Sequence, residues 1–322
     1  MNLDILSKYR TQLMGIAILL VMYYHMPVNW ENFPFIPYIL SKYAYIGVDI
    51  FILLSGLGIY FACKKENSKN FYFRRFMRII PYSIPIIFIG CILMLYMGKI
   101  DLKNVLLMST LLEYYVTGNI QDWYLSVILF FYLISPFLYR LVLKNALATV
   151  IFTFVIWYVL GLFLYRDNFI LLTSRLPVFV LGIFAGNMID NKRKIGKSYI
   201  LISFIIGLIL LMLHHYLDMQ NNLYWEYYMH YMPFFFIVFP LCLFISKLLS
   251  FLKKYSYPVL SFFGSYSLVI YILHPRILYV LELFLEDKIV IILATILLTV
   301  LTAYFWQKSI SSLLYKLFKY KI

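Results

Sequence analysis

The sequence predicts an all-α, polytopic membrane bundle of about ten helices, and three observations carry that reading. The chain of 322 residues is 64% hydrophobic, 20% aromatic and only 13% charged, with a mean hydropathy of +0.86. A water-soluble core of this size cannot hide so much apolar surface. The apolar residues come in long unbroken runs, each near the ~20 residues that cross a bilayer as a helix with every backbone group satisfied internally. No two-residue alternation punctuated by turns recurs, as a transmembrane barrel requires.

Breaks at charges, Pro, Asn and Gly place the spans near 12–28, 43–62, 79–98, 122–141, 147–165, 169–189, 199–217, 231–249, 258–280 and 289–306. The first contains "MGIAILLVMYYH"; it is too long for the apolar region of a signal peptide and lacks an A-x-A-like cleavage site, so it is read as retained. The second returns through "GVDIFILLSG", and the third follows the basic loop "CKKENSKNFYFRRFMR" (63–78) and starts at Pro81. The fourth is "DWYLSVILFFYLISP", and the fifth runs on to Arg166. The sixth contains "RLPVFVLGIFAG", and a basic stretch from Lys192 to Lys197 separates it from the seventh. The loop "HHYLDMQNNLYWEYYMH" (214–230) leads to the eighth; "SYSLVIYILHP" lies in the ninth, and the tenth follows Asp287 and Lys288. Residues 1–322 read as one domain, with no low-complexity linker and no clear internal repeat.

With the N-terminus inside, 21 of the 28 Lys and Arg residues fall on the inner segments and 7 on the outer ones. That bias sets both termini on the cytoplasmic side and makes the net charge of +14 mostly topological. A nucleic-acid partner is excluded, because no stretch is polar enough to form a soluble basic surface. Cys63, Cys91 and Cys242 are far apart, without metal-ligand spacing, and read as small apolar fillers.

Two ionisable residues near the outer face stand out. His25 lies about one turn from the outer end of the first span, and Asp49 lies at similar depth on the second. An intramembrane carboxylate needs a partner, and His25 is the nearest in sequence. A carboxylate that fixes the imidazole tautomer would make His25 a general base. The residues alone equally allow an interfacial histidine and a carboxylate that hydrogen-bonds between helices.

The six quoted motifs, from "MGIAILLVMYYH" through "FRRFMRIIPY" (73–82) to "SYSLVIYILHP", resemble in order the successive signatures of the acyltransferase family 3 membrane proteins. The resemblance implies transfer of an acyl group, commonly acetyl, from cytoplasmic acyl-CoA to a hydroxyl of an envelope carbohydrate. It makes His25 the catalytic residue and the pair Arg75 and Arg78 the second hallmark, on the cytoplasmic side. It also implies a multi-pass protein of the cytoplasmic (inner) membrane, of bacterial type. One position departs. Family members usually carry arginine eleven residues before the histidine, where this chain has Met14; Arg10 stands one turn earlier on nearly the same face. Arg10 would lie roughly 22 Å from His25 along the helix, against roughly 16 Å for the family spacing. Either Arg10 supplies the cation or the donor site has diverged.

The expected co-substrate is acyl-CoA, acetyl-CoA in the first instance, with no metal. Arg74, Arg75 and Arg78 would meet its phosphates, since planar guanidiniums match phosphate oxygens bidentately. The expected acceptor is a carbohydrate or glycolipid, with membrane lipid around the protein. On the outer side Trp30, Trp123, Tyr224, Trp225, Tyr227 and Tyr228 suit sugar rings, and Glu31, Glu113, Asp122 and Glu226 suit hydroxyls; an interfacial aromatic belt would place rings there too. His274 reads either as a second polar group of the acceptor site or as packing, and Arg175 either as a binder of an acceptor oxygen or as the partner of an acid. His214, His215 and His230 lack a helical ligand pair and do not read as a metal site. The competing class is a proton-coupled transporter or polysaccharide exporter using His25 and Asp49 as a relay, but the sequence shows neither inverted repeats nor paired broken helices.

Overall fold

The computed structural model describes residues 3–28, 34–65, 68–164, 169–219, 230–252 and 257–318, and among them it contains helices and no strand. Trp30, Glu31, Tyr224, Trp225, Glu226, Tyr227 and Tyr228 lie outside the described residues. A short α1 (Asp4–Lys8) leads into α2 (Arg10–Tyr24), which stops at His25 with Pro27 two residues on. The peripheral α3 (Phe35–Tyr43) precedes α4 (Ile46–Lys65). The basic α5 (Ser68–Met77) then runs into α6 (Ile80–Tyr96), whose first turn holds Pro81. Two short helices, α7 (Leu102–Ser109) and α8 (Glu113–Thr117), connect to α9 (Trp123–Lys144). The remaining apolar helices are α10 (Ala146–Leu164), α11 (Ile170–Asp190), α12 (Lys197–Met219), α13 (Met232–Phe251), the pair α14 (Tyr257–Ser265) and α15 (Ser267–Phe284), and α16 (Lys288–Phe318).

Each of the ten predicted spans coincides with helix. Among the described residues eight helical segments are long and apolar enough to cross a bilayer; Arg10–Tyr24 and Ala146–Leu160 are shorter apolar helices. The predicted ninth span is not continuous, because it breaks at Tyr266 between α14 and α15. The sequence hides this break, since Gly264 to Ser267 sit inside an otherwise apolar run. There Ser267 Oγ donates to the Gly264 carbonyl at 2.9 Å, satisfying backbone that the break releases.

Close approach holds the bundle together. The second span, α4, is buried along most of its length, against α11 on one side and α2 on another. Gly56 and Gly182 face each other so tightly that a Cβ on either would come within 2.1 Å of the opposing backbone carbonyl, Phe179 O or Leu53 O. Lipid tails are as apolar as leucine, so such contact is what draws membrane helices together. The lipid-facing positions are on helices such as α12 and α16, which leave rows of Leu and Ile exposed.

The two ends of the bundle differ. At one end Tyr9 meets Tyr257 (ring centroids 5.7 Å), Lys64 pairs with Asp190 (2.6 Å) and Phe73 meets Phe318 (6.4 Å). At the other, Lys42 pairs with Asp218 and Asp122 with Arg276 (2.6 Å). The segments grouped by the charge count therefore do meet in space.

Candidate active site

One cavity lies at the start of α2 and another at its end, each about 520 Å³. The first is an arginine cavity. Its wall includes Arg10 and Met14 of α2, Arg75 of α5 and Arg78 just beyond it, and no Asp or Glu lines it among the described residues. Arg75 is buried, with its guanidinium 5.8 Å above the Phe71 ring. Arg10 reaches across to α4, where its Nε donates to the Leu54 carbonyl at 3.2 Å. Its guanidinium lies against Gly58, where a Cβ would come within 2.7 Å of it. Three guanidiniums on the wall of one cavity suit a polyanion. Arg74, expected to join them, is exposed and does not line the cavity, because its neighbour Arg75 takes the inward face of α5.

The second is a histidine cavity, lined by His25, His274, Arg175, Trp123 and the rings of Tyr24, Tyr45, Tyr231 and Tyr271. His25 caps α2, with Nδ1 2.8 Å from the Val21 carbonyl and 3.3 Å from Nε2 of His274. The two imidazoles meet edge to face, with centroids 5.1 Å apart. His274 is only 2% exposed, and its own Nδ1 is 2.9 Å from the Ile270 carbonyl.

The expected pairing of Asp49 with His25 is corrected by these contacts. Asp49 falls in the first turn of α4, where its Oδ1 is 3.4 Å from Arg175 Nε on α11. Both side chains are almost wholly buried. A buried carboxylate takes the strongest cation within reach, and a guanidinium outranks a neutral imidazole. Arg175 is further clasped between the Tyr231 ring (3.9 Å) and the Trp123 ring (5.3 Å), and its Nη1 donates to Ser174 Oγ at 3.0 Å. Of the two readings of Arg175, pairing with an acid is realised, and Arg175 also lines the histidine cavity.

Glu113 and Asp122 are not brought to the histidine cavity. They line a separate, much smaller one with Asn119 and Ser126. Asp122 is held bidentately by Arg276, at 2.6 and 3.2 Å, and burial pushes the Glu113 carboxyl above its ordinary pKa. His230 stacks on Tyr45 with centroids 4.7 Å apart and an interplanar angle of 8°, and burial drives its pKa down to about 3. His214 meets it edge-on at 5.2 Å. Among the described residues no group of three or more His, Cys, Asp or Glu is placed to hold a metal ion.

One residue that sequence reasoning missed joins the two cavities. Tyr271 lines both, and its ring lies 5.1 Å from that of Tyr124, which lines the arginine cavity. The available signal was its position three residues before His274 in "YILHP", a spacing that puts both on one helix face.

No curated protein and no solved structure matches the chain. The model of acyltransferase family 3, described as an acyltransferase domain, matches residues 12–306. That match takes in the helices of both cavities and nearly the whole sequence, so the chain belongs to acyltransferase family 3 and is a multi-pass membrane acyltransferase.

Proposed function

We propose that the protein transfers an acyl group, acetyl in the first instance, from cytoplasmic acyl-CoA to a hydroxyl of an envelope carbohydrate or glycolipid, with His25 as the general base. The observation that carries this reading is the arrangement of the cavities: a cluster of Arg10, Arg75 and Arg78 on one side of Tyr271, and a histidine with an aromatic surround on the other. The excess of basic residues at the arginine end supports a cytoplasmic donor, in a cytoplasmic membrane of bacterial type.

In the chemistry this implies, Arg10, Arg75 and Arg78 hold the donor's phosphates and leave its thioester near Tyr271. His25 takes the proton of the acceptor hydroxyl as that oxygen bonds to the thioester carbonyl carbon. When the carbon–sulfur bond breaks, the proton passes to the leaving thiolate. Trp123, Tyr24 and Tyr45 offer apolar faces for a sugar ring, and the water-poor bundle limits hydrolysis of the thioester.

Mass spectrometry of envelope glycans from cells with and without the gene tests the reading and names acceptor and acyl group together. Loss of one acyl modification without the gene is expected. His25→Ala should lower transfer by about 10²–10⁴-fold while the protein still inserts and purifies as a folded species. Identical glycans in the two strains, or near-normal transfer by His25→Ala, would overturn it.

A further inference from the structure

The last carbonyls of a helix have no intrahelical donor, and α2 ends at His25. Val21 O, among the last of α2, takes a long bond from the His25 backbone N–H (3.3 Å) and lies 2.8 Å from His25 Nδ1. A carbonyl only accepts, so Nδ1 carries the hydrogen and Nε2 is left with its lone pair. The same reasoning holds one helix away. His274 Nδ1 is 2.9 Å from the Ile270 carbonyl, so it too carries hydrogen and its Nε2 is bare. That bare nitrogen is the atom 3.3 Å from His25 Nδ1. The two rings are thus complementary: one offers a hydrogen that the other can share.

We propose that His274 is the positioning residue of His25: its Nε2 accepts from His25 Nδ1–H and, together with the Val21 carbonyl, holds the base in the tautomer whose Nε2 can take a proton. This is the task a carboxylate performs in hydrolase triads. Here the intramembrane carboxylate Asp49 is paired with Arg175. When His25 accepts the hydroxyl proton at Nε2, the imidazolium keeps its Nδ1–H shared between the Val21 carbonyl and His274 Nε2. The cation also sits at the C-terminus of α2, where the helix carries roughly half a negative charge. The proton returns from Nε2 to the departing thiolate, so His274 ends the cycle as it began. Among the described residues no carboxylate lines the cavity around the pair. Tyr24 and Tyr271 face the rings, and Arg276, two residues beyond His274, is neutralised by Asp122. A histidine acceptor keeps this buried site neutral between turnovers, whereas a third carboxylate would need its own cation.

The catalytic half of the inference rests on the acyl-transfer reading, whereas the tautomer is a property of the free protein. Protein labelled with ¹⁵N-histidine and purified in detergent is observed by NMR, with His25→Ala used to assign the His25 signals. The wild type is expected to show His25 protonated at Nδ1 and bare at Nε2, and His274→Leu, which leaves the Val21 carbonyl as the remaining acceptor at Nδ1, to show a larger share of the other tautomer. Turnover is followed with acetyl-CoA as donor and an oligosaccharide pool from cell envelopes as acceptor. His274→Leu should lose about 10–10²-fold in kcat, the usual range for a group that orients a functional histidine, with KM for acetyl-CoA unchanged. His274→Gln, whose amide oxygen replaces the acceptor, should recover most of that loss. A wild-type His25 carrying its hydrogen on Nε2 overturns the assignment without any variant having to fold. So does a His274→Leu protein with both the wild-type tautomer and the wild-type kcat. A wild type that transfers no acyl group overturns the proposed function instead, and the NMR arm then still decides the pairing.

Discussion

At the residue scale, the exchange of Met14 for the family's usual arginine finds a physical explanation in the arginine cavity. Met14 and Arg10 line the same wall, one turn apart on α2, and Arg10 extends along α4 as far as the Leu54 carbonyl and Gly58. A long arginine stem can carry its charge about a turn along a helix, so Arg10 is placed to stand in for that cation. Arg10→Ala should therefore weaken CoA binding, read by calorimetric titration, and restoring a guanidinium with Met14→Arg in that background should recover part of it. Arg75→Lys, titrated alongside, should bind CoA less tightly than wild type, because an ammonium cannot reproduce the bidentate fork. An Arg10→Ala protein with unchanged affinity would show that the cavity works with the other two arginines alone. His25, Arg10, Arg75 and Arg78 were legible in the sequence because each stands in a motif or at a helix spacing that marks its face. The partner of His25 was not: sequence proximity favoured Asp49, 24 positions away, over His274, 249 positions away. Only the packing of α15 beside α2 reverses that order.

At the scale of elements, the ten spans were readable because lipid imposes length and hydrophobicity on each helix separately. The pairing of helices was not, since it depends on where small residues and buried charges meet. Gly56 and Gly182 look like any other glycines in apolar runs until α4 and α11 are seen to touch through them. The break at Tyr266 is equally silent in hydropathy, yet Gly264, Ser265, Ser267 and Leu268 around it all line the arginine cavity. The Asp49–Arg175 pair joins α4 to α11 near the histidine end, where sequence proximity alone pairs Asp49 with His25. Removing one member of a buried pair strands the other charge, so Asp49→Asn should cost about 3–5 kcal/mol. Replacing both, as in Asp49→Leu with Arg175→Met, should be milder than the single change. Thermal unfolding of the detergent-purified proteins compares them. In the NMR experiment Asp49→Asn should leave the His25 tautomer as in wild type, and a shift of tautomer there would restore Asp49 as the histidine's partner.

At the scale of the whole molecule, a reaction whose donor binds at one end and whose acceptor binds at the other needs a passage, and Tyr271 stands where the two cavities share a wall. Its ring packs against Tyr124 and lies 6.1 Å from that of His274, so the wall is aromatic on one side and adjoins the histidine pair on the other. On the proposed reading, a wall of this kind would pass a short acyl group beside the ring and block a long one. It would also separate the histidine cavity from the donor thioester until an acceptor is bound. Tyr271→Ala removes the ring and joins the cavities, and two changes should follow together. Butyryl-CoA should become a donor closer in rate to acetyl-CoA, and CoA release without any acceptor should rise. Tyr271→Phe keeps the ring and should leave both quantities near wild type, which separates the shape of the wall from its hydroxyl. Chain-length preference and acceptor-free hydrolysis are measured on the same purified protein, with thiol release as the common readout. If Tyr271→Ala changed neither, the acyl group would have to pass elsewhere in the bundle, and the shared wall would be packing alone.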